Sequence, residues 1–177
     1  MKKWLIVLLV FLVIIGAWLH DRNTTLTEFS ESVEVIDDLI IEEYMGVWYD
    51  VASIPNRFQK GLTNVTATYE LREDGSVRVF NAGIKPDGAI SDIEGEAEMF
   101  SEGRFKVSFF PLVKSDYNLL YIDEFYSYAL VGGGNPDYLW ILSRTPKLDE
   151  RVIQGLLDKA EKQGYNVDKM ENNQGAE

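Results

Sequence analysis

The chain contains no cysteine, which excludes disulfides, thiolate metal sites, a cysteine nucleophile and thioether lipidation. Histidine is almost as scarce. The only one, His20, directly follows an apolar run, so the side chain most often used for general acid–base catalysis is missing from the body of the chain. We therefore expect no catalytic residue, no metal site and no cofactor. Lysine and arginine number 17 against 29 aspartates and glutamates, a formal charge of -12. That balance argues against nucleic-acid binding and against electrostatic docking on anionic lipid head groups, so any lipid contact is expected to be mainly apolar. At 177 residues there is room for one domain with a sizeable core or an internal cavity, and no second domain is expected.

Long hydrophobic runs are few, and the one that stands out opens the chain. Lys2 and Lys3 precede an almost unbroken apolar stretch from Trp4 to Leu19, closed by His20, Asp21 and Arg22. Residues 1–20 read as a membrane anchor or a signal segment, being long for a signal-peptide core and slightly short for an upright span. We favour an uncleaved hydrophobic anchor helix, because Gly16 and Ala17 are followed by bulky Trp18 and Leu19 rather than by a small-x-small cleavage site. The leading positive charge places that end in the cytoplasm and the acidic domain across the membrane. Residues 21–39 turn polar and acidic and read as a spacer, residues 40–170 as the folded domain, and residues 171–177 as a disordered tail.

From Tyr44 onward, short segments of two-residue periodicity alternate with turn signals, and helical periodicity appears only near the end. Val65, Ala67, Tyr69 and Leu71 alternate with Thr66, Thr68 and Glu70; Glu73-Asp74-Gly75 then makes a turn, and Val77, Val79 and Asn81 share one face of the next strand. After Lys85-Pro86-Asp87-Gly88, Ile93, Gly95, Ala97 and Met99 alternate with Glu94, Glu96 and Glu98, and Phe105, Val107 and Phe109 follow with Lys106 and Ser108 between them. A first strand near 46–54 and three more near 118–123, 126–131 and 138–143 bring the total to eight. Connections of hairpin length make sequential antiparallel pairing the economical topology, and closure removes exposed edges. The expected fold is all-β, an eight-stranded antiparallel up-and-down β-barrel. Val152, Ile153, Leu156, Leu157 and Ala160 form the apolar stripe of a C-terminal α-helix that would lie on the barrel wall, and the last strand, Tyr138-Leu139-Trp140-Ile141-Leu142, is apolar on both faces to suit it.

Whether such a barrel is hollow depends on the bulk of its inward residues. Ala67, Gly95, Ala97 and Ala129 are small and leave room for a ligand, although small residues also relieve crowding where strands coil tightly. Composition leaves both readings open.

Several segments resemble the signature regions of the lipocalin family. They are Tyr44-Met45-Gly46-Val47-Trp48-Tyr49, continuing through Ile54-Pro55-Asn56-Arg57-Phe58 to Tyr69; Lys106-Val107-Ser108-Phe109-Phe110; Tyr128-Ala129-Leu130-Val131-Gly132; and Asp137 to Pro146. The likeness is closest to the bacterial outer-membrane lipoprotein branch, with apolipoprotein D more distant, and it covers roughly residues 44–170. It implies that Gly46, Trp48 and Arg144 close the barrel, with the guanidinium over the indole, a contact of about 0.5–2 kcal/mol. It also implies ligand contacts at Tyr44, Tyr69, Asn81 and Trp140; the strand parity agrees for Tyr69 and Asn81, and adds Phe109. Two departures from the family pattern stand out. The acylated lipobox cysteine is absent, so outer-membrane sorting loses its usual basis and a retained helix is the natural substitute, and Leu62 stands where many relatives carry a cysteine.

The resemblance implies a binding protein that stores or ferries fatty acids, lysophospholipids or similar amphiphiles at the bacterial cell envelope, in membrane maintenance under stress. Its partners would be a small hydrophobic ligand and a membrane, reached through residues 1–20, with a homodimer left open. The alternative is a membrane-tethered interaction module with a plugged barrel, for which Phe125-Tyr126 beside Asp123-Glu124 offers a surface. The remaining carboxylates, Glu94, Glu96 and Glu98, fall on one wet strand face, where they serve as solubilising charges.

Overall fold

In the computed structural model, which describes residues 24–57 and 59–174, two-residue alternation becomes strand after strand. They are β1 (Gly46–Ser53), β2 (Thr63–Leu71), β3 (Val77–Ile84), β4 (Ile90–Ser101), β5 (Arg104–Phe110), β6 (Val113–Ile122), β7 (Tyr128–Gly133) and β8 (Leu139–Ser143). Each pairs antiparallel with the next, and β1 pairs with both β2 and β8, so the sheet closes on itself. The expected eight-stranded up-and-down barrel is the fold.

The connections β1–β2, β3–β4, β5–β6 and β7–β8 lie at one end, the mouth; the others lie at the closed end with the start of β1. β6 begins five residues before the expected boundary at Asn118. Exposed Lys114 and Ser115 and half-buried Asp116 blur the alternation there, yet Ser115, Asp116 and Tyr117 pair with Val107, Lys106 and Phe105.

Two apolar clusters divide the interior. One fills the closed end of the barrel, around Trp48, Tyr69, Val79, Phe105, Leu119 and Leu142. The other lies outside it, where α3 (Glu150–Lys162) sets Ile153, Leu156 and Ala160 against Val51, Leu139 and Ile141. Asp149 caps this helix by accepting from the Arg151 N–H at 2.8 Å, and Gly164, at φ +86°, ends it. β8 is therefore apolar on both faces for the expected reason: Leu139 and Ile141 meet the helix side, Trp140 and Leu142 the lumen.

Two stretches depart from expectation. Residues 24–39 are not a free spacer: residues 24–32 form a helix, α1, and the Arg104 guanidinium donates to the carbonyls of Ser30 and Val33 at 2.6 and 2.7 Å. Val33 is buried and the Ile36 N–H donates to the Leu119 carbonyl, so this strap is tied to the barrel by backbone groups that the polar composition did not reveal. At the other end, Glu171–Asn172 form β9 on β1, and the Asn173 N–H donates to Val51 O, so the expected disordered tail begins with paired backbone. The expected anchor at residues 1–20 lies outside the described residues; among those described, no helix is long and apolar enough to cross a membrane.

The acidic strand face is not simply solvated. Arg78 bridges Glu70 and Glu94, Arg72 meets Glu96, and Lys114 meets Glu98, a cross-strand network on the outer face of β2 to β6. All these side chains are more than a third exposed, so the network's contribution to stability is small.

Candidate ligand-binding lumen

At the closed end, Trp48 stands on β1 and Arg144 just past β8. The Arg144 guanidinium carbon lies 3.8 Å from the centre of the Trp48 ring, and its nitrogens donate to the carbonyls of Glu43, Met45, Val47 and Tyr126. One cation thus satisfies four carbonyls of the strand-entry segment and the β6–β7 turn while covering the indole. Gly46 is required beside it: φ is +92°, and an added Cβ would meet Arg144 Nη1 at 3.3 Å. These residues seal one end.

Above this seal lies a cluster of tyrosine hydroxyls. Tyr44 comes from α2 (Ile41–Tyr44), held where the Trp48 indole N–H donates to its carbonyl at 2.8 Å. Its ring stacks on Tyr69 at 5.5 Å, and both phenols share hydrogen bonds with Tyr117 of β6, the Tyr69 pair at 3.1 Å. Burial pushes all three phenols up, Tyr69 to about 12. The floor is therefore neutral at physiological pH, and it can both donate and accept hydrogen bonds.

A cavity of about 760 Å³ extends from that floor to the mouth, with Val65, Ala67, Val77, Val79, Ala97 and Val107 on its walls. It includes a shallow extension over the outer side near Leu26 and Asp116. Tyr44, Tyr69, Asn81, Phe109 and Trp140 all line it. Strand parity and the family likeness thus bring these five to one space, the tyrosines low and the others on the walls. Asn81 Oδ1 is the one buried side-chain polar atom among the described residues with no hydrogen-bond partner. An orphaned acceptor costs about 1–3 kcal/mol.

The small-residue reading needs one correction. Ala67 and Ala97 do open the lumen, but Gly95 does not: a Cβ there would stand 2.6 Å from Phe109 Cδ1 and 2.6 Å from Ser108 O. The Phe109 ring fills the place of the missing side chain. Ala129 is fully buried in the core cluster and does not line the cavity.

At the upper end, Gln59 of the β1–β2 connection reaches inward. Its Nε2 donates to Asp50 Oδ2 at 3.1 Å and its Oε1 accepts from the Trp140 indole N–H at 3.2 Å. Asp50 also accepts from Ser53 Oγ at 2.9 Å and from Asn173 Nδ2 at 3.0 Å. One carboxylate thus ties together the mouth loop, β1 and the C-terminal segment. Burial raises its pKa to about 6 against the pull of those three donors.

Sequence reasoning missed Tyr117, Asp50 and Gln59. Tyr117 fell outside the expected strand. Asp50 carried a readable signal, an acid within the otherwise apolar run from Trp48 to Ala52. Gln59 lies in a connection and has no periodicity to mark it.

Comparison with known proteins agrees with this geometry. A family model described as a lipocalin-like domain matches residues 38–175. The chain is 42% identical over 141 residues to the outer membrane lipoprotein Blc of Escherichia coli (strain K12), spanning 77% of this chain and 80% of that protein. It is 31% identical over 149 residues to apolipoprotein D of Mus musculus, spanning 78% of each. Among solved structures, insecticyanin from the tobacco hornworm Manduca sexta superposes with a TM-score of 0.67 at 20% identity, covering 82% of this chain and 85% of that one. A closed barrel sealed by Trp48 and Arg144 over a mostly apolar lumen, matched along most of its length by these relatives, belongs to the lipocalin family, in the branch of the bacterial outer membrane lipoproteins.

Proposed function

We propose that this lipocalin binds one amphiphile in its lumen, a fatty acid, a lysophospholipid or a similar molecule, and stores or carries it at the bacterial cell envelope. The observation that carries this reading is the apolar-walled cavity above the tyrosine floor, about 760 Å³ together with its outer extension, with Asn81, Phe109 and Trp140 on its walls. That volume falls within the roughly 300–1,000 Å³ of small-ligand sites, and the pairing of apolar walls with a few convergent polar groups is their usual chemistry. Val65, Val77, Val79 and Val107 would flank an acyl chain. Asn81 and the Tyr44–Tyr69–Tyr117 hydroxyls would receive hydroxyl, amide or ester groups, while Phe109 and Trp140 pack along the chain.

The envelope assignment draws on the outer membrane lipoproteins that the chain resembles. Without a cysteine to acylate, residues 1–20 would hold the domain on the periplasmic side of a membrane, where it would serve membrane maintenance under stress. No catalytic step is part of this reading. The open lumen speaks against the plugged-barrel alternative.

The test is a titration of the chain lacking residues 1–20 with lysophosphatidylcholine and with a long-chain fatty acid, followed by tryptophan emission. Saturable quenching that weakens with Trp140→Phe or Asn81→Leu supports a lumen site. A flat titration with folded protein rules it out.

A further inference from the structure

One buried carboxylate borders the lumen. Of the charged side chains that line the cavity, Asp50, Arg57, Asp92, Lys106, Lys114 and Asp116, only Asp50 is buried. Lys106 and Asp116 pair with each other, and Lys114 pairs with Glu98, on the outer face of the sheet. Arg57 and Asp92 are exposed.

Nothing beside Asp50 neutralises it. Its three hydrogen-bond donors, Gln59 Nε2, Ser53 Oγ and Asn173 Nδ2, are all uncharged, and none of the ion pairs among the described residues includes it. The ionisable groups on the elements packed around it are Tyr69 on β2, Arg57 and Lys60 in the β1–β2 connection and Glu171 on β9; β8 supplies none. Tyr69 stays a neutral phenol, and the other three are exposed, where water and salt screen their fields. Arg144 lies beyond the tyrosine floor, at the closed end. Burial raises the Asp50 pKa to about 6, so the carboxylate is mostly ionised at neutral pH and mild acidification protonates it.

A head group entering the lumen therefore meets an ionised carboxylate and neutral phenols, with no buried cation among the described residues that line the cavity. The single amide of Gln59 spans the gap from Asp50 to the Trp140 indole, so a head group beside Trp140 lies close to the carboxylate. Two unit charges about 10 Å apart shift an equilibrium roughly tenfold at the effective dielectric of protein sites. A bound anion thus tightens the hold of Asp50 on a proton, and by reciprocity a proton on Asp50 tightens the hold on the anion. An uncharged head group has no such coupling, and a cationic one has the opposite coupling.

We infer that Asp50 sorts amphiphiles by the charge of the head group: uncharged and cationic head groups bind beside its carboxylate, whereas an anionic one binds together with a proton that Asp50 takes up. The proton comes from the solvent, and no bond of the ligand changes. At neutral pH the lumen selects an uncharged or amine-bearing head group over an anion of the same chain length; on acidification the anion gains and the cation loses. The inference rests on the reading that the lumen holds an amphiphile, and it names the residue and the charge state that decide which one.

The test uses probes of one chain length whose own charge does not titrate: decyl sulfonate, decanol and decyltrimethylammonium, each below its micelle concentration. The full chain, held in a non-ionic amphipathic polymer, is titrated with each by calorimetry from about pH 5 to about pH 7.5, in buffers of different ionisation enthalpy, and the heat with polymer alone is subtracted. The sulfonate should bind roughly tenfold more tightly at the acid end and take up protons between the two limits. Decanol should show neither effect, and the ammonium should bind more tightly at the alkaline end and release protons. Asp50→Asn should abolish the pH dependence of both ions, and Asp50→Glu should keep it. Gln59→Leu leaves the acid in place but removes one of its donors, so it should move the midpoint to higher pH, and it assigns the proton to Asp50 should Asp50→Asn fail to fold. Decanol binding beside a sulfonate affinity that ignores pH overturns the inference and spares the lumen reading, whereas no binding of decanol overturns both. A linkage that persists in folded Asp50→Asn, or a midpoint that Gln59→Leu does not move, also overturns it.

Discussion

Replacing Asp50 with asparagine should change how stability depends on pH more than it changes stability at any one pH. Asp50 is 7% exposed, and its pKa is raised from 3.8 to about 6, chiefly by burial, with hydrogen bonds from Asn173, Ser53 and Gln59 pulling the other way. A folded-state pKa above the unfolded value means that the folded protein holds this proton more tightly. The resulting stabilisation is complete below about pH 4 and is lost as pH rises through about 6, where the buried group must ionise. At 1.36 kcal/mol per pH unit, the difference corresponds to about 3 kcal/mol. Asparagine cannot ionise, so this slope disappears. Asparagine also presents an amide N–H₂ to donors that wanted an acceptor, a pH-independent penalty of about 1–3 kcal/mol. Urea unfolding of both proteins, followed by tryptophan emission at several pH values, separates the two effects. The difference in unfolding free energy should move by about 3 kcal/mol in favour of Asp50→Asn between about pH 4 and about pH 7. Asp74, Glu94 and Asp137 have lowered pKa values and favour higher pH, but they are common to both proteins and cancel. A difference that stays constant over this range refutes the reasoning.

Arg144→Lys keeps the charge but cannot reach the carbonyls of Glu43, Met45, Val47 and Tyr126 together, and should lower unfolding free energy by about 2–3 kcal/mol in urea titrations. Gly95→Ala should cost about 1–3 kcal/mol in the same assay, because its methyl group meets the Phe109 ring and the Ser108 carbonyl. Adding Phe109→Ala should recover only part of that loss, since the carbonyl is backbone. Ala97→Phe projects a ring into the lumen between Val77 and Val107; amphiphile affinity in the tryptophan titration should fall about tenfold or more while the far-ultraviolet circular dichroism keeps its β-sheet signature.

The strands, their sequential pairing and the C-terminal helix were legible in the sequence because each depends on a local period: Val65-Ala67-Tyr69 for one inward face, Ile153-Leu156-Ala160 for one helix stripe. The family signatures also located the Trp48–Arg144 seal, since they preserve positions that the closed sheet brings together. What the sequence could not show were relations between distant segments. Only the folded chain puts Phe109 where Gly95 lacks a side chain, brings the Tyr117 hydroxyl to those of Tyr44 and Tyr69, and lets Asn173 reach Asp50. The binding of residues 24–39 to the barrel is likewise a consequence of topology. Periodicity records which side of a strand faces inward, because that is decided by neighbours two residues away. Which side chains meet across the lumen depends on closure of the sheet, and no local pattern encodes it.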